Sequence, residues 1–511
     1  MKNYKHYVKY QTKAIVVFVF LIGLVQIVCN GQTQRNTIPV VLKVYNDTVI
    51  MKEFLGVNGV YHGFAYMPEQ INKGMNENDR QREFSRVKNM DLKIARTWYR
   101  ADWACGDNMY NEFNWETTKM KAFYLWLDKM KELKVDVALQ AGWWFTKDTY
   151  FHIPAKNGKD TIGPKPDKDP DRFALWIKES LRQLIQVKGY TNIKYLVLFT
   201  EPLNYPAGII PQGFTEPEYY DKVCTRIHEQ LVESGLRSKI KLVGPNSGST
   251  DTAAWVGWSV KNMNQVIDIY SWHAYNGGKY NSIPPLEYNG WKNVVEVGRK
   301  KMEHTGKPFW IDEYGANKPD ETMRFKPDYG NYLAQCIAAF ANEGAQTSLI
   351  WLLFDQQYVV PGDNTTNKDS FHNGVHRWGV AKWPHDDVSE PENPYPSWYA
   401  LSMMSKYLGG RNHTKVYKTN NADSVYVVAT QPNGREISVL VVNASHSSKQ
   451  IHVEFQKNIN VTLNRHLYDP AKIVVTKEAA ILESDKKIKI EKSSFIDKLP
   501  SRGVAIYTTL K

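Results

Sequence analysis

The chain has 511 residues, of which 42% are hydrophobic and 23% are charged. This balance excludes a disordered or fibrous chain and is enough for one large domain with a smaller partner. The net charge is +12, and it falls to +8 when the four lysines of an N-terminal signal segment are removed. So small a charge, without a basic cluster among aromatic residues, argues against nucleic-acid binding. This net positive charge is compatible with a weakly anionic substrate, and equally with an ordinary basic surface that has no such role.

The N-terminus has the pattern of an export signal. Lysines at positions 2, 5, 9 and 13 precede an apolar run over 14–28, followed by Cys29, Asn30 and Gly31. We therefore expect residues 1–31 to be a cleaved signal peptide and the product to be secreted or periplasmic. Lipid attachment at Cys29 is disfavoured because the preceding Val28 is bulky. The apolar run is short for a membrane span, so no transmembrane segment is expected.

Three cysteines follow the signal segment, namely Cys105, Cys224 and Cys336. Their number is odd, their spacing is wide and no C-x-x-C pattern occurs, which favours core thiols over a disulfide framework or a zinc site.

The middle of the chain, over 53–410, alternates short apolar runs with longer amphipathic segments. Helices are predicted over 117–133 and 170–186, among others. Such alternation is typical of parallel strands with helical crossovers, and eight strands predict an α/β fold, the (β/α)8 or TIM barrel. The eight predicted strands are 57–65, 93–98, 135–142, 194–200, 240–244, 266–272, 308–311 and 347–354.

The connection after the eighth strand is long and irregular. Residues 360–394 are rich in Gly, Pro, Asp, Asn, His and Trp, and a loop of this length is usually functional. We expect it to cover the catalytic face. The last barrel helix is predicted over 397–407, closed by Gly409 and Gly410.

The C-terminal segment 411–511 changes to a period of two, which predicts a β-sandwich. Asn433-Gly434 is expected to form a hairpin turn there. The stretch 32–52 alternates similarly, with Asn46-Asp47 at a possible turn, and is expected to add one or two strands to the sandwich.

Two carboxylates follow strands of the predicted barrel, where chemistry sits in this fold. Glu201 comes after the fourth strand and Glu313 after the seventh. A carboxylate next to a buried apolar strand is costly unless it serves a purpose. Retaining glycosidic cleavage needs one carboxylic acid and one nucleophilic carboxylate, roughly 5 Å apart.

The order of these motifs resembles the clan A glycoside hydrolases, in which the acid/base follows strand four and the nucleophile follows strand seven. The resemblance implies that Glu201 is the acid/base and Glu313 the nucleophile. It also implies that Arg96 keeps the nucleophile ionised, that Tyr275 hydrogen-bonds Glu313, and that His273 lines the sugar subsite. Trp351 on strand eight would be the platform under the reacting sugar.

One position departs from the clan pattern. Thr200 stands where the clan has an Asn that contacts the substrate 2-hydroxyl. Either the sugar differs near C2, or another residue such as Asn58 or Gln140 supplies the contact.

Several aromatic residues are further candidates for sugar subsites, because aromatic faces stack on sugar rings. Trp143 and Trp144 end strand three and are expected in subsites. Trp103 is expected to pack between helices and loops.

Metal and cofactor sites are not expected. His372 and His376 are spaced i, i+4, but Asn373-Gly374 between them argues against a helix. The polar residues alternating over 363–369 lack the later Gly and Glu of a calcium loop. A barrel metallohydrolase would need His-x-His after strand one, where only His62 stands.

The layout resembles glycoside hydrolase family 39 and its relatives in families 30, 51 and 79, while the Glu-Tyr-Gly motif and the Trp of strand eight resemble family 5 equally. The resemblance implies a secreted retaining β-glycosidase acting on β-linked plant or algal glycans. Exo action like that of a β-xylosidase is favoured over an endo-acting glycanase. The alternative from another class is a non-catalytic glycan-binding protein.

Overall fold

The computed structural model describes residues 38–100, 103–104, 113–140, 152–153, 161–162, 170–202, 213–275, 287–316, 321–357, 371–372, 375–386, 388–411 and 413–511. The expected signal peptide, Cys105, Trp143 and Trp144 lie outside these residues.

Eight parallel strands of the described chain form a closed barrel, which confirms the expected fold. Each predicted strand overlaps an observed one, although the observed strands are mostly shorter. In chain order the barrel strands are Gly56–Val60, Ile94–Trp98, Asp136–Gln140, Ile193–Val197, Lys241–Ser247, Ile269–Ala274, Phe309–Tyr314 and Thr347–Ile350.

The interior of the barrel is a packed layer of side chains rather than a pore. Seven strands each contribute one buried apolar residue to this layer. Polar residues therefore collect above it, at the carboxyl ends of the strands. The seven residues are Ile94, Ala138, Val197, Val243, Ile269, Trp310 and Leu349.

Helices surround the barrel and bury their apolar faces against the strands. Helix Thr118–Glu132 shows why they form: Thr117 caps it by accepting a hydrogen bond from Met120 N at 3.1 Å, and Phe123, Trp126 and Leu127 are fully buried. The described helices are Pro68–Ile71, Glu77–Asn89, Thr118–Glu132, Pro170–Leu181, Glu216–Glu233, Thr252–Asn262, Tyr288–Met302, Asp328–Asn342 and Ser397–Leu408.

Short helical turns complete these connections. The helix predicted over 170–186 ends at Leu181 and continues as a π-helical turn over Arg182–Val187. Single turns of 3-10 helix lie at Arg237–Lys239, Glu303–Thr305, Glu321–Phe325 and Pro432–Gly434.

The second unit is a nine-stranded sheet that includes one strand from before the barrel. Val40–Met51 pairs antiparallel with Lys415–Thr419 and parallel with Lys449–Phe455. The turn considered at Asn46-Asp47 is wrong: the register shifts between Tyr45 and Val49, so the chain bulges within one strand. The remaining strands are Val425–Gln431, Ser438–Asn443, Thr462–Tyr468, Ser484–Lys489, Ser494–Leu499 and Val504–Thr508.

The predicted hairpin turn is confirmed. Strands Val425–Gln431 and Ser438–Asn443 pair antiparallel around it, and Asn433 and Gly434 have φ of 52° and 73°. These left-handed values suit Asn and Gly.

The sheet packs directly against the last two barrel helices. The Asn331 side chain donates to Asn443 O at 3.0 Å and to Arg502 O at 2.9 Å. After the final helix the chain passes so close to the first strand that a Cβ at Gly409 would lie 2.5 Å from Gly56 Cα. Only glycine allows this approach.

The second half of the long loop after strand eight is tied to helix Glu77–Asn89. His385 contacts Asp79 at 2.8 Å, and Arg82 pairs with Glu392 at 2.8 Å. A buried ion pair between Arg377 and Asp386, at 2.6 Å, braces the loop itself.

Helices long and apolar enough to cross a membrane do not occur in the described part of the chain.

Candidate active site

The structure brings Glu201 and Glu313 together at the mouth of the barrel. Glu201 follows the fourth barrel strand, whereas Glu313 lies in the seventh. The side chain of Glu313 is only 7% exposed and that of Glu201 is 26% exposed. The two carboxylates therefore have different environments: one is enclosed and the other is open to solvent.

Arg96 and Tyr275 hold the enclosed carboxylate. Arg96 Nη1 lies 2.8 Å from Glu313 Oε1, and it also donates to Asp312 O at 2.7 Å. The Tyr275 hydroxyl donates to Glu313 Oε2 at 3.1 Å. Glu313 Oε1 thus faces the positive charge of Arg96 and Oε2 accepts a hydrogen bond, which together favour one orientation of the carboxylate.

The pKa of Glu313 is raised above its ordinary value. Burial is the largest cause, and the negative charges of Glu201 and Asp312 add to it. His273 and Arg96 act in the opposite direction. The ionised form is therefore kept by two specific partners against an unfavourable setting.

His273 bridges the two carboxylates. Its Nδ1 lies 2.8 Å from Glu201 Oε1 and 3.3 Å from Glu313 Oε2, and the residue is fully buried. Burial opposes protonation of His273, but the carboxylates of Glu313 and Glu201 outweigh it and raise its pKa. The sequence placed His273 in a sugar subsite, whereas its contacts in the structure are with the two catalytic candidates.

The same three side chains have the composition of a metal site. The ligand-type atoms of Glu201, His273 and Glu313 lie within 4.8 Å of one another. However, the Arg96 guanidinium already contacts Glu313, and a proton on His273 Nδ1 accounts for both short contacts. The donor set therefore fits proton sharing better than an added cation.

Thr200 contacts Arg96 rather than standing apart from the site. Arg96 Nη2 donates to Thr200 Oγ1 at 3.3 Å and to Gln140 Oε1. Gln140 is fully buried, and its Nε2 has no hydrogen-bond partner among the described residues. Of the two substitutes considered for the missing Asn, Gln140 is at the mouth.

Asn58 is the wrong candidate. Its side chain donates to Leu55 O and Thr347 Oγ1 at 2.9 Å and accepts from Lys93 N and Ile94 N. These groups start the barrel strands, so Asn58 lies at the opposite end from Glu313.

Trp351 belongs to an aromatic wall beside the carboxylates, made with Trp98, His62 and His376. Trp351 is 5.4 Å from both Trp98 and His62 between ring centroids, and 6.2 Å from His376. Burial holds the pKa of both histidines well below their ordinary value, so they are neutral. Such a wall can enclose a sugar ring.

Other sequence expectations have clear outcomes. Trp103 packs against Phe123 at 5.1 Å and is 3% exposed, so it belongs to the core. His376 lies in one of two short paired strands, Phe371–His372 and Val375–His376, rather than in a helix. Cys224 and Cys336 are buried free thiols, as predicted.

Sequence reasoning missed Asp312 and Asn246. Both are fully buried, Asn246 Nδ2 donates to Asp312 Oδ2, and Glu201 N donates to Asn246 O at 3.0 Å. The signal was present for Asp312, because a second acidic residue inside an apolar strand is costly to bury. No comparable signal marks Asn246.

Comparisons with known proteins place the fold. No protein-family model and no curated protein matches the chain. Solved structures do match at low identity: a family 30 subfamily 8 xylanase from Clostridium acetobutylicum has a TM-score of 0.61 and 14% identity, over 91% of this chain and 98% of that one.

Two further structures lie in the same range. A monomeric beta-xylosidase from Caulobacter crescentus has a TM-score of 0.61 and 12% identity, covering 92% of this chain and 99% of its own. A family 39 enzyme from Xanthomonas axonopodis pv. citri has a TM-score of 0.60 and 12% identity, covering 94% and 99%. The chain therefore has the fold of clan A glycoside hydrolases, as the sequence indicated.

Proposed function

We propose that the protein is a retaining β-glycosidase in which Glu313 is the nucleophile and Glu201 the acid/base. The observation that carries this proposal is the separation of the two carboxylates. Their nearest oxygens lie within 4.8 Å, with one imidazole contacting both. Retaining enzymes need a separation of roughly 5 Å, whereas inverting enzymes need about 6.5–9.5 Å to admit a water.

The different environments of the two carboxylates support this assignment of roles. Arg96 and His273 favour the ionised form of Glu313, and the Tyr275 hydroxyl orients its carboxylate, as a nucleophile requires. Glu201 has greater exposure and contacts His273, so it can exchange protons with a leaving group and with water.

The mechanism follows as a double displacement. A Glu313 oxygen bonds to the anomeric carbon while the glycosidic C–O bond breaks, and Glu201 gives its proton to the departing oxygen. Glu201 then takes a proton from water, whose oxygen attacks the anomeric carbon and releases Glu313.

Three measurements test this function. Glu313→Ala and Glu201→Ala should each abolish turnover of β-glycosides. The first product seen by NMR should be the β-anomer. Azide should restore turnover of an activated aryl glycoside by Glu201→Ala and give a β-glycosyl azide. An α-anomeric first product, or full activity in either variant, would contradict the assignment.

We further propose β-linked plant or algal glycans as substrates, with exo action favoured. The support is enclosure: His376, in the loop after strand eight, lies 6.2 Å from Trp351 between ring centroids, so part of this loop packs beside the mouth. Product sizing on xylans and algal polysaccharides, including sulfated and uronate-bearing ones, tests this. Single sugars indicate exo action, whereas mixed oligosaccharides indicate the endo alternative.

A non-catalytic glycan-binding role is the alternative from another class. It has less support because both carboxylates and the Arg96 clamp are intact. Binding of glycans without any turnover in the substrate screen would favour it.

We also propose export of the protein, on the pattern of residues 1–31. N-terminal sequencing of the exported protein should begin just after the small residues at 29–31. Retention of the lysine-rich segment in the mature protein would contradict this.

A further inference from the structure

Asp312 is a buried acid that the proposed mechanism does not use. It is fully buried directly before Glu313, and among the described residues no Lys, Arg or His forms an ion pair with it. Its Oδ2 accepts from Asn246 Nδ2, whereas Oδ1 has no partner in the described part of the chain. A buried carboxylate with one neutral partner is unfavourable for stability, so a functional reason is expected.

Two bulges bring Asp312 and Asn246 together. Strand six lies between strands five and seven. Against strand seven its register runs from Ile311↔Trp272 to Glu313↔His273, which leaves Asp312 as the extra residue. Against strand five it runs from Pro245↔Ser271 to Ser247↔Trp272, which leaves Asn246 as the extra residue. Bulges of this kind redirect side chains near active sites.

Asn246 also contacts the backbone of Glu201. Its carbonyl accepts from Glu201 N at 3.0 Å, and both residues have left-handed backbones, with φ of 57° and 46°. Glu201 lies beyond the end of strand four, so the regular ladder does not hold it. The backbone of Glu201 is therefore tied to Asn246, whose side chain contacts Asp312.

We propose that Asp312 and Asn246 are positioning residues that fix Glu201 relative to Glu313, linking the strand of the nucleophile to the acid/base across strand six. This inference rests on the proposed function, since it explains how that catalytic pair keeps its spacing. Neither residue touches the reacting atoms. Each acts through the position of Glu201.

The test uses the dependence of the rate on the leaving group. Asn246→Ala should lower kcat/KM for an alkyl β-glycoside about 100-fold, because about 1 Å of misplacement weakens proton donation by that order. For a dinitrophenyl glycoside of the same sugar kcat/KM should fall less than about 5-fold, since that leaving group departs without a proton. Equal losses on both substrates, or no loss, would overturn the inference.

Two further variants separate linkage from charge. Asp312→Ala should reproduce the selective loss, and the Asn246→Ala/Asp312→Ala double variant should lose no more than either single one. Asp312→Asn keeps an oxygen that accepts from Asn246 and should restore most of the activity on the alkyl glycoside. Additive losses would contradict a single linkage.

Ser271→Ala is the matched control. Ser271 lies on strand six just before the two bulges and is fully buried, and its hydroxyl has no partner among the described residues. Its removal should leave both rates near those of the wild type. If Asn246→Ala folds poorly, as judged by thermal melting, Asn246→Ser replaces it because its shorter side chain falls short of Asp312.

A crystal structure of the Asn246 variant tests the inference without an activity measurement. The Glu201 carboxylate should move away from His273 Nδ1 while Glu313 stays on Arg96. An unmoved Glu201 would overturn the positioning role even in an active enzyme. An inactive wild type would instead count against the proposed function.

Discussion

Two buried carboxylates in this molecule have opposite pKa shifts, and the contrast separates a functional group from a structural one. Glu313 in the barrel mouth has a raised pKa, chiefly because of burial, and two neighbouring acids add to the effect. Asp497 in the C-terminal sheet is equally enclosed. Burial would raise its pKa, but hydrogen bonds from Lys486 and Tyr507, among others, hold it below its ordinary value.

The partners explain the difference. Asp497 accepts from Lys486 Nζ at 2.5 Å, from the Tyr507 hydroxyl at 2.8 Å and from Arg465 Nη1 at 2.9 Å. These residues come from three other strands, so the contacts join the sheet where its two edge strands approach. The sheet surrounds Asp497 with hydrogen-bond donors, whereas the mouth places the carboxylates of Glu201 and Asp312 close to Glu313. The second arrangement is worse for stability and better for chemistry.

The variant with the largest expected effect should lose its activity and keep its stability. Glu313→Gln should lower kcat by about 10⁴-fold or more, since no nucleophile remains. Its thermal midpoint at pH 7 should stay at or above that of the wild type, because an unfavourable buried charge has been removed. A midpoint several degrees lower would show that the Arg96–Glu313 pair stabilises the fold, and would undo the comparison.

A substitution of Asp497 should instead lower the stability and leave the activity unchanged. Asp497→Asn should lower the free energy of unfolding by about 2 kcal/mol, because the largely buried Arg465 loses one of its two carboxylate partners and exposed Lys486 loses its contact. kcat should be unchanged. Asp485→Asn is the matched control: it also removes a partner of Arg465, but its side chain is 39% exposed, so the loss should stay below about 1 kcal/mol. Equal losses in a chemical denaturation series would contradict the special role of Asp497.

Removing one hydrogen bond from Glu313 should have a smaller effect. Tyr275→Phe should lower kcat about tenfold with little change in KM, because a hydrogen bond to a charged group contributes about 1.5 kcal/mol or more. Tyr270→Phe, on the strand that Tyr275 follows, is the control, since the Tyr270 hydroxyl contacts Asn264 and not the carboxylates. Similar kinetics in the two variants would show that the Tyr275 contact does not matter.

The pH dependence of activity, set by Glu313, should differ from the pH dependence of stability, set by Asp497. This is the smallest expected effect. The acidic limb of kcat/KM should lie above pH 4.5, because the raised pKa of Glu313 leaves it protonated below that limb. The stability from Asp497 is present above the unfolded pKa of about 4 and is lost as the pH falls through its depressed folded value. Below pH 4 the thermal midpoint should therefore fall less steeply with falling pH in Asp497→Asn than in the wild type. A parallel decline would contradict the depressed pKa.

The barrel strands could be read from the sequence because each is a short apolar run between amphipathic helices. Four of the predicted strands ran past the observed ends, as at 57–65 against Gly56–Val60. The reason is that residues of the mouth remain apolar after the ladder stops. The possible turn at 46–47 failed because a bulge has the same local composition as a turn.

For the site, position after a strand was enough to propose Glu201 and Glu313, and the resemblance added Arg96, Tyr275 and Trp351. The contact of His273 with both carboxylates could not be predicted from the sequence. The direction of its side chain depends on the irregular registers on either side of strand six. The error at Asn58 has a related cause: a polar residue inside a strand does not reveal which end of the barrel it faces.

The sequence by itself determined the alternation of elements, the eight barrel strands and the two carboxylates near the ends of strands four and seven, because periodicity and burial cost are local properties of the chain. Only the tertiary structure decided that His273 joins the two carboxylates and that Asp312 reaches Glu201 through Asn246. Those contacts depend on where strands five and seven each gain an extra residue beside strand six, and register is a property of paired strands rather than of any one of them.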